Sequence, residues 1–354
     1  MSIPTEPMGS IPRPRYLLDG MAEHAAGRLD SAGLTRLQER AVSETVSRLE
    51  ALGSPVVVDG DQSKPSAYTY PLTGLANLAP DGVVIPYADG HTRQLPRLTS
   101  GPFTYGTFAQ TYLRAALKVA SRPVKQTVVA PSFLSLLYPA DSISGYSREA
   151  FLSDLANESE KEIRGCLDAG ADSVQLDYGH GRLALRLSPS GELLRDFIAL
   201  DNEVLGRFSP AERARIGVHT HPGADQDSVH SLDVDYTGLL AELFRLKAGN
   251  FYLQMASEPE PSRALKVASE YSADDQRLFI GVTDPIDPRV ETAEEVEERV
   301  LEAASYISVQ RLGTCDDAGF APYADDTSTS REIVFAKIEA RVRGTRMAAE
   351  KLGL

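Results

Sequence analysis

The chain is poor in cysteine, in basic charge and in uninterrupted apolar sequence, and each shortage excludes a class of protein. Cys166 and Cys315 are the only cysteines among 354 residues. No disulfide framework can hold such a fold, and a reducing cytoplasm is the expected setting. No apolar run approaches the roughly 18 residues of a membrane span, and the opening Met1 to Glu6 lacks the basic region and apolar core of a secretory signal. Lys and Arg number 36 against 50 Asp and Glu, a net charge of −14, with no basic stripe to offset it. Nucleic acid and anionic membrane are therefore poor partners, and a small-molecule substrate is expected. A dinucleotide fingerprint is missing too, because Gly179-His180-Gly181 is too short to cradle a pyrophosphate.

What remains is an ordinary globular composition, 42% hydrophobic and 24% charged, in a chain long enough for one (α/β) barrel. Strand-like runs alternate with helical ones. After a proline-rich start, Met8 to Ile11 is taken as the first strand and Pro55 to Gln62 as the second. Lys125 to Ala130, Ser173 to Tyr178, the run into His219, Phe251 to Met255, Arg277 to Thr283 and Ser308 to Cys315 complete eight. Between them, helical periodicity predicts helices such as 148–169, whose Phe151, Leu155, Ile163 and Leu167 share a face before the stop at Gly170. Residues 66–105 break the alternation with turn signals around short β-prone runs. The expectation is an α/β fold, a single (β/α)8 TIM barrel over residues 1–354, with a β-hairpin insertion at 66–105 after strand 2.

Active residues in such a barrel stand in loops after strand ends. The richest of these is the stretch from Val218 to His230, which holds His219, His221, Asp225, Asp227 and His230, half of the chain's six histidines among them. Residues two apart on a strand face one side, so His219 and His221 could present both imidazoles to one ion; a polar rim with satisfied hydrogen bonds reads equally well. Ser10, Asp61, Asp177, His180, Glu258, Cys315, Asp316 and Asp317 would join them on one rim. That concentration of titratable groups favours a site. Cys166 reads as a small buried residue of its helix.

Several of these stretches together resemble the catalytic domain of the cobalamin-independent methionine synthase family, within the uroporphyrinogen-decarboxylase-like barrels. They are Glu6-Pro-Met-Gly-Ser-Ile-Pro-Arg13, Asp59-Gly-Asp-Gln-Ser-Lys-Pro65, Gln175-Leu-Asp177, Val218-His-Thr-His-Pro-Gly223, Asp284-Pro-Ile-Asp-Pro-Arg289, and Leu312 to Phe320 with Asp325 to Arg331. The resemblance spans nearly the whole chain. It implies a zinc ion that binds a thiol, usually homocysteine, and activates it for attack on a methyl group carried by a folate. Ser10, Asp61 and Asp177 fall where the substrate's amino-acid end would be held, Met8 is a further substrate-binding candidate, and Asp61, Asp177 and Asp317 are candidate catalytic groups.

The departures bear on chemistry. Where the family carries two thiolate ligands, this chain has His221 and Ala318, while His180 stands where a Glu is usual. His219, His221, His180, Glu258 and Cys315 are the candidate metal ligands, with Gln254 an alternative to Glu258. Imidazoles leave an ion more Lewis acidic than thiolates do, which argues against ordinary methionine synthesis. The leading expectation is a diverged, zinc-dependent transferase moving a methyl or alkyl group to sulfur. An Fe(II) enzyme that oxidises or cleaves an amino-acid-derived metabolite is the alternative, and a non-catalytic binding protein the second alternative.

Overall fold

The segments Lys125–Val129, Ile216–Thr220 and Leu312–Asp316 are buried along their whole length, the pattern of strands covered on both faces. In the computed structural model, which describes residues 2–223 and 227–354, they belong to one curled parallel sheet. Asp225 lies outside the described residues. The strands are β1 (Thr5–Glu6), β2 (Leu78–Ala79), β3 (Val84–Pro86), β4 (Thr92–Gln94), β5 (Arg97–Leu98), β6 (Lys125–Val129), β7 (Ser173–Asp177), β8 (Ile216–Thr220), β9 (Asn250–Leu253), β10 (Arg277–Thr283) and β11 (Leu312–Asp316). Seven of them pair side by side in the order β1-β11-β10-β9-β8-β7-β6. Helices connect successive strands of this sheet. Outside it, β2 pairs antiparallel with β5 and β3 with β4.

The sheet is a half-barrel of seven strands rather than a ring of eight. The second expected strand, Pro55 to Gln62, contributes a single parallel bridge, Val57 to Val124, and Ile11 N–H donates to Gly60 O at 3.0 Å beyond it. Gly60 and Asp61 both have left-handed backbone, φ 71° and 53°, so the chain leaves the extended region before a ladder can form. The first strand likewise lies at Thr5–Glu6, with Met8 to Ile11 following it as buried loop. The stretch after β7 enters helix His180–Leu187 directly from Gly179; Gly179 and Gly181 hide the helical signal.

Helix Arg148–Ala169 has the predicted limits. Ser147 Oγ accepts the Ala150 N–H at its start and Gly170 ends it at φ 106°, the conformation glycine adopts at least cost. Its inner face also carries a titratable group that periodicity could not reveal. Glu162 is buried, accepts the Ala109 N–H at 2.8 Å, and is pushed up to about 7 chiefly by burial. A raised carboxyl pKa favours folding most below the unfolded value. As pH rises from about 4.5 to 7 the unfolded chain ionises first, and Glu162 should withdraw about 3 kcal/mol of stability. Urea unfolding of Glu162→Gln beside the parent at pH 4.5 and pH 8 checks this: the variant should lose less stability over that interval, and equal losses would refute it. Among the described residues, no helix is long and apolar enough to cross a membrane.

Candidate functional site

Asp177 is the last residue of β7 and lies directly opposite His219 of β8. Alternation along the strand and just past its end then brings His221 to the same side, and the two imidazole rings stack 4.9 Å apart. One ligand atom from each of Asp177, His219 and His221 falls within 4.8 Å of the others. The cluster sits at the carboxyl ends of the strands, where a parallel α/β sheet places its chemistry.

Hydrogen bonds assign the protons. His219 Nε2 faces the carbonyl oxygen of Asp317 at 2.9 Å, so that nitrogen carries the hydrogen. Nδ1 is then a bare lone pair, buried and without a partner among the described residues. An imidazole held by a backbone carbonyl on one nitrogen and open on the other is the usual state of a metal-ligating histidine. His221 is arranged the other way. Its Nδ1 accepts the Gly223 N–H at 3.1 Å, so Nε2–H donates toward Asp177 Oδ1 at 3.3 Å and Tyr68 Oη at 3.2 Å. For His221 to ligate through Nε2, its proton must move to Nδ1 and the Gly223 bond must open. The donor set thus fits a divalent ion through His219 Nδ1 and the Asp177 carboxylate, and through His221 after that rearrangement.

Burial pushes His219 down to about 3, and a proton gained by His221 would push it the same way. Burial alone would raise the Asp177 carboxyl; the attraction of a protonated His221, its hydrogen bond, and then a protonated His219 outweigh it and hold the carboxyl well below its usual range. Gly179 lets the chain pass close by, since a Cβ there would lie 2.3 Å from His221 Nε2.

A polar compartment opens from this cluster, lined by Met8, Ser10, Asp61, Asp177, His219 and His221 with Tyr68 and Thr127. Ser10 Oγ accepts the Ala321 N–H at 3.1 Å, which leaves its own hydrogen for a ligand. Asp61 pairs with buried Lys64 at 2.7 Å and accepts from Thr127 Oγ1 at 3.2 Å. Its left-handed backbone is held by its N–H to Asp59 Oδ1 at 2.9 Å, a strain of the sort that collects at functional sites. Lys64, Tyr68 and Thr127 went unnoticed in the sequence. Lys64 does stand inside one of the quoted stretches, but nothing local marks the other two.

Four expected site residues lie elsewhere. His180 Nε2 donates to Ser132 Oγ at 2.8 Å, outside the three-residue cluster. Glu258 pairs with Arg182 at 3.2 Å and accepts from Gln254 Nε2 at 3.3 Å, so its charge is already spent. Cys315 packs with Met8, Tyr252 and Phe279 inside the sheet, and burial raises its thiol far above the range of a thiolate ligand. Asp317 accepts from the N–H groups of Met255, Ala256 and Ser257 and from Ser257 Oγ. Burial and neighbouring Asp284 push it up to about 7 against those donors. It orients the loop after β9 and, through its carbonyl, His219. Gly281 makes room for it, because a Cβ there would lie 1.8 Å from Asp317 Oδ1.

Fold and site together define a parallel-sheet α/β protein with a candidate acid and imidazole metal centre at its strand ends. No protein-family model matches the chain. A methionine synthase of Saccharolobus islandicus is 21% identical over 350 residues, covering 99% of this chain and 96% of that protein. One of Sulfurisphaera tokodaii is 21% identical over 353 residues, with 99% and 94% covered. Among solved structures, a B12-independent methionine synthase from Shewanella sp. W3-18-1 in complex with selenomethionine superposes with a TM-score of 0.78 at 17% identity, covering 99% of both chains. A methyltransferase from Methanosarcina mazei gives 0.53 at 14% identity over 96% of this chain and 94% of that one. The chain resembles the cobalamin-independent methionine synthase family from end to end.

Proposed function

We propose that the protein is a metal-dependent transferase that moves a methyl or other alkyl group to the sulfur of a small amino-acid-like thiol, on a (β/α)8-type framework diverged from ordinary methionine synthesis. One observation carries this reading: Ser10, Asp61 and Asp177, which the resemblance implies for the thiol's amino-acid end, line the same compartment as Met8 and His219. Divergence rests on His221 and Ala318, which replace thiolates; Ala318 is buried and has no donor atom. Zinc suits a site that must deliver sulfur, and a bound divalent ion would supply the Lewis acidity that makes a thiol a thiolate near neutral pH.

The chain's own groups do the rest. Asp177, ionised and part-buried, can offer one carboxylate oxygen to the ion and the other to a substrate ammonium, whereas the charge of Asp61 is already balanced by Lys64. The free Ser10 hydrogen orients a carboxylate. Tyr68 Oη and His221 Nε2–H close the compartment beside the sulfur. Two histidines and one carboxylate are also the set that holds Fe(II) in non-haem iron enzymes, and this composition favours the iron reading as second choice. Both cysteines are free and buried, consistent with a cytoplasmic setting.

The test is homocysteine methylation with methyltetrahydrofolate and with simple alkyl donors, after chelation and after reloading with zinc or Fe(II). Activity lost on chelation and restored by zinc supports the reading. Oxygen uptake dependent on Fe(II) would replace it with the oxidative one, and full activity without metal would remove the metal from the mechanism.

A further inference from the structure

The candidate cluster has almost no room beside it. The polar compartment lined by Asp177, His219 and His221 has a free space of about 20 Å³, and so has a second, aromatic compartment next to it. Each holds about one water, whereas a small-molecule site usually measures roughly 300 Å³ or more. Tyr68, His221 and Pro322 line both compartments and divide them. Tyr87 and His230 in turn divide the aromatic one from a groove of about 660 Å³ at the surface. The route from solvent to the cluster is therefore shut twice.

The antiparallel ribbon β3–β4 roofs this route. Val84 and Pro86 are exposed, while Ile85 and Tyr87, at the alternate positions, are buried and line the aromatic compartment. The root of the ribbon is fixed by backbone. Gly82 N–H donates to Leu95 O at 3.0 Å and Leu95 N–H to Val83 O at 2.8 Å, with Leu95 and Leu98 buried. A Cβ on Gly82 would lie 2.4 Å from Leu95 O, so the two sides of the root touch.

The far end is fastened differently. Ala88 N–H donates to Val229 O at 2.7 Å, and Tyr87 Oη meets Tyr323 Oη at 2.9 Å. The Arg93 guanidinium lies 3.7 Å over the Tyr323 ring and reaches Asp325 at 3.3 Å and Asp326 at 3.4 Å. All of these partners belong to the loops after β8 and β11, none to the sheet. Arg93 and Asp325 are open to solvent, where an ion pair contributes little. A segment held at one end by backbone pairing and packing, and at the other by a few polar contacts near the surface, opens at less cost than the sheet beneath it.

We propose that the β3–β4 ribbon is a hinged cover, rooted at Gly82 and Leu95, whose far end lifts from Val229 and Tyr323 to admit the substrate to the candidate cluster. What enters rests on the transferase reading above. The motion does not, and it is tested without thiol or metal. Diethyl pyrocarbonate modifies the imidazoles it can reach, and the buried Cys166, on helix Arg148–Ala169, reports global unfolding through its alkylation. With each rate taken relative to the free amino acid, His180 and His219 in the chelated full chain should react more slowly than His24 on helix Arg15–Ala25 and faster than Cys166. Tyr87→Phe and Arg93→Ala each remove a fastening at the far end. Each should speed modification of His180 about fivefold, the effect of one lost hydrogen bond on the open population, with Cys166 unchanged. Ala88→Cys with Val229→Cys, joined by a short bifunctional thiol reagent that the two buried native cysteines do not meet, should slow it at least as much. His180 as reactive as His24 would mean that no cover is closed. His180 as protected as Cys166 in the parent and in both loosened variants would mean that only unfolding reaches it, and a bridge without effect would mean that entry lies elsewhere; each result overturns the proposal. Failure of homocysteine methylation with modification still governed by the ribbon would count against the transferase reading alone, and methylation undiminished in the bridged protein against the cover alone.

Discussion

In His219→Ala, the affinity for zinc should fall by at least about 100-fold, while His180→Ala should bind the metal as the parent chain does. The expectation follows from placement as well as proton position: His219 belongs to the cluster with Asp177 and His221, whereas His180, whose Nδ1 is also without a partner among the described residues, does not. His219 Nε2–H is committed to the Asp317 carbonyl and Nδ1 is open. Loss of a supporting partner alone usually costs a metal site 10- to 100-fold, so loss of a ligand should cost more. His180, an equally good ligand by type, spends Nε2 on Ser132 outside the cluster. His221→Ala should fall between the two, because its Nε2 is free to ligate only after the Gly223 bond opens. Isothermal titration with zinc after chelation, with elemental analysis of each variant, decides the order. Equal losses in His180→Ala and His219→Ala would show that the cluster is drawn wrongly. No loss in His219→Ala would reduce the histidine pair to a polar rim.

Arg341→Met should cost about 3–5 kcal/mol of stability, the largest effect expected away from the site. Arg341 Nε donates to Asp316 Oδ1 at 2.9 Å, with both side chains inaccessible to solvent, and Nη1 donates to Thr5 Oγ1. The pair therefore ties helix Arg331–Lys351 to β11 and to β1 at the edge of the sheet. Removing the guanidinium leaves a buried carboxylate whose remaining side-chain donor among the described residues is the Thr283 hydroxyl at 2.7 Å. The cost comes from the stranded charge more than from the lost attraction, so Asp316→Leu added to Arg341→Met should recover most of it. Urea denaturation of the parent, single and double variants measures both values. A single variant within about 1 kcal/mol of the parent would mean that Asp316 is protonated or hydrated in the fold.

Asp316 also shows where reading the sequence reaches its limit. On the chain it neighbours Asp317 and looks like part of the same rim, yet one carboxylate is held by the last helix and the other by the loop after β9. Which side of a strand end a residue faces depends on where the strand stops, and periodicity locates that only to within a residue or two. His180 and Cys315 illustrate the same point. Both are ligand types near strand ends, but one is the first residue of a helix and the other points into the sheet.

The sequence by itself determined the alternation of buried strands and one-faced helices, the limits of helices as clear as Arg148–Ala169, the pairing of His219 with His221 and the resemblance that runs end to end. These depend on local spacing, which a chain carries in one dimension. Only the tertiary structure decided that the sheet is a seven-stranded half-barrel, that Asp177 completes the histidine cluster, and that Tyr68 and Thr127 wall its compartment. It alone fixed which imidazole nitrogens are free, because a histidine's tautomer is set by the group that folding places against its ring, and for His219 and His180 those partners, the Asp317 carbonyl and the Ser132 hydroxyl, are tens of residues away along the chain.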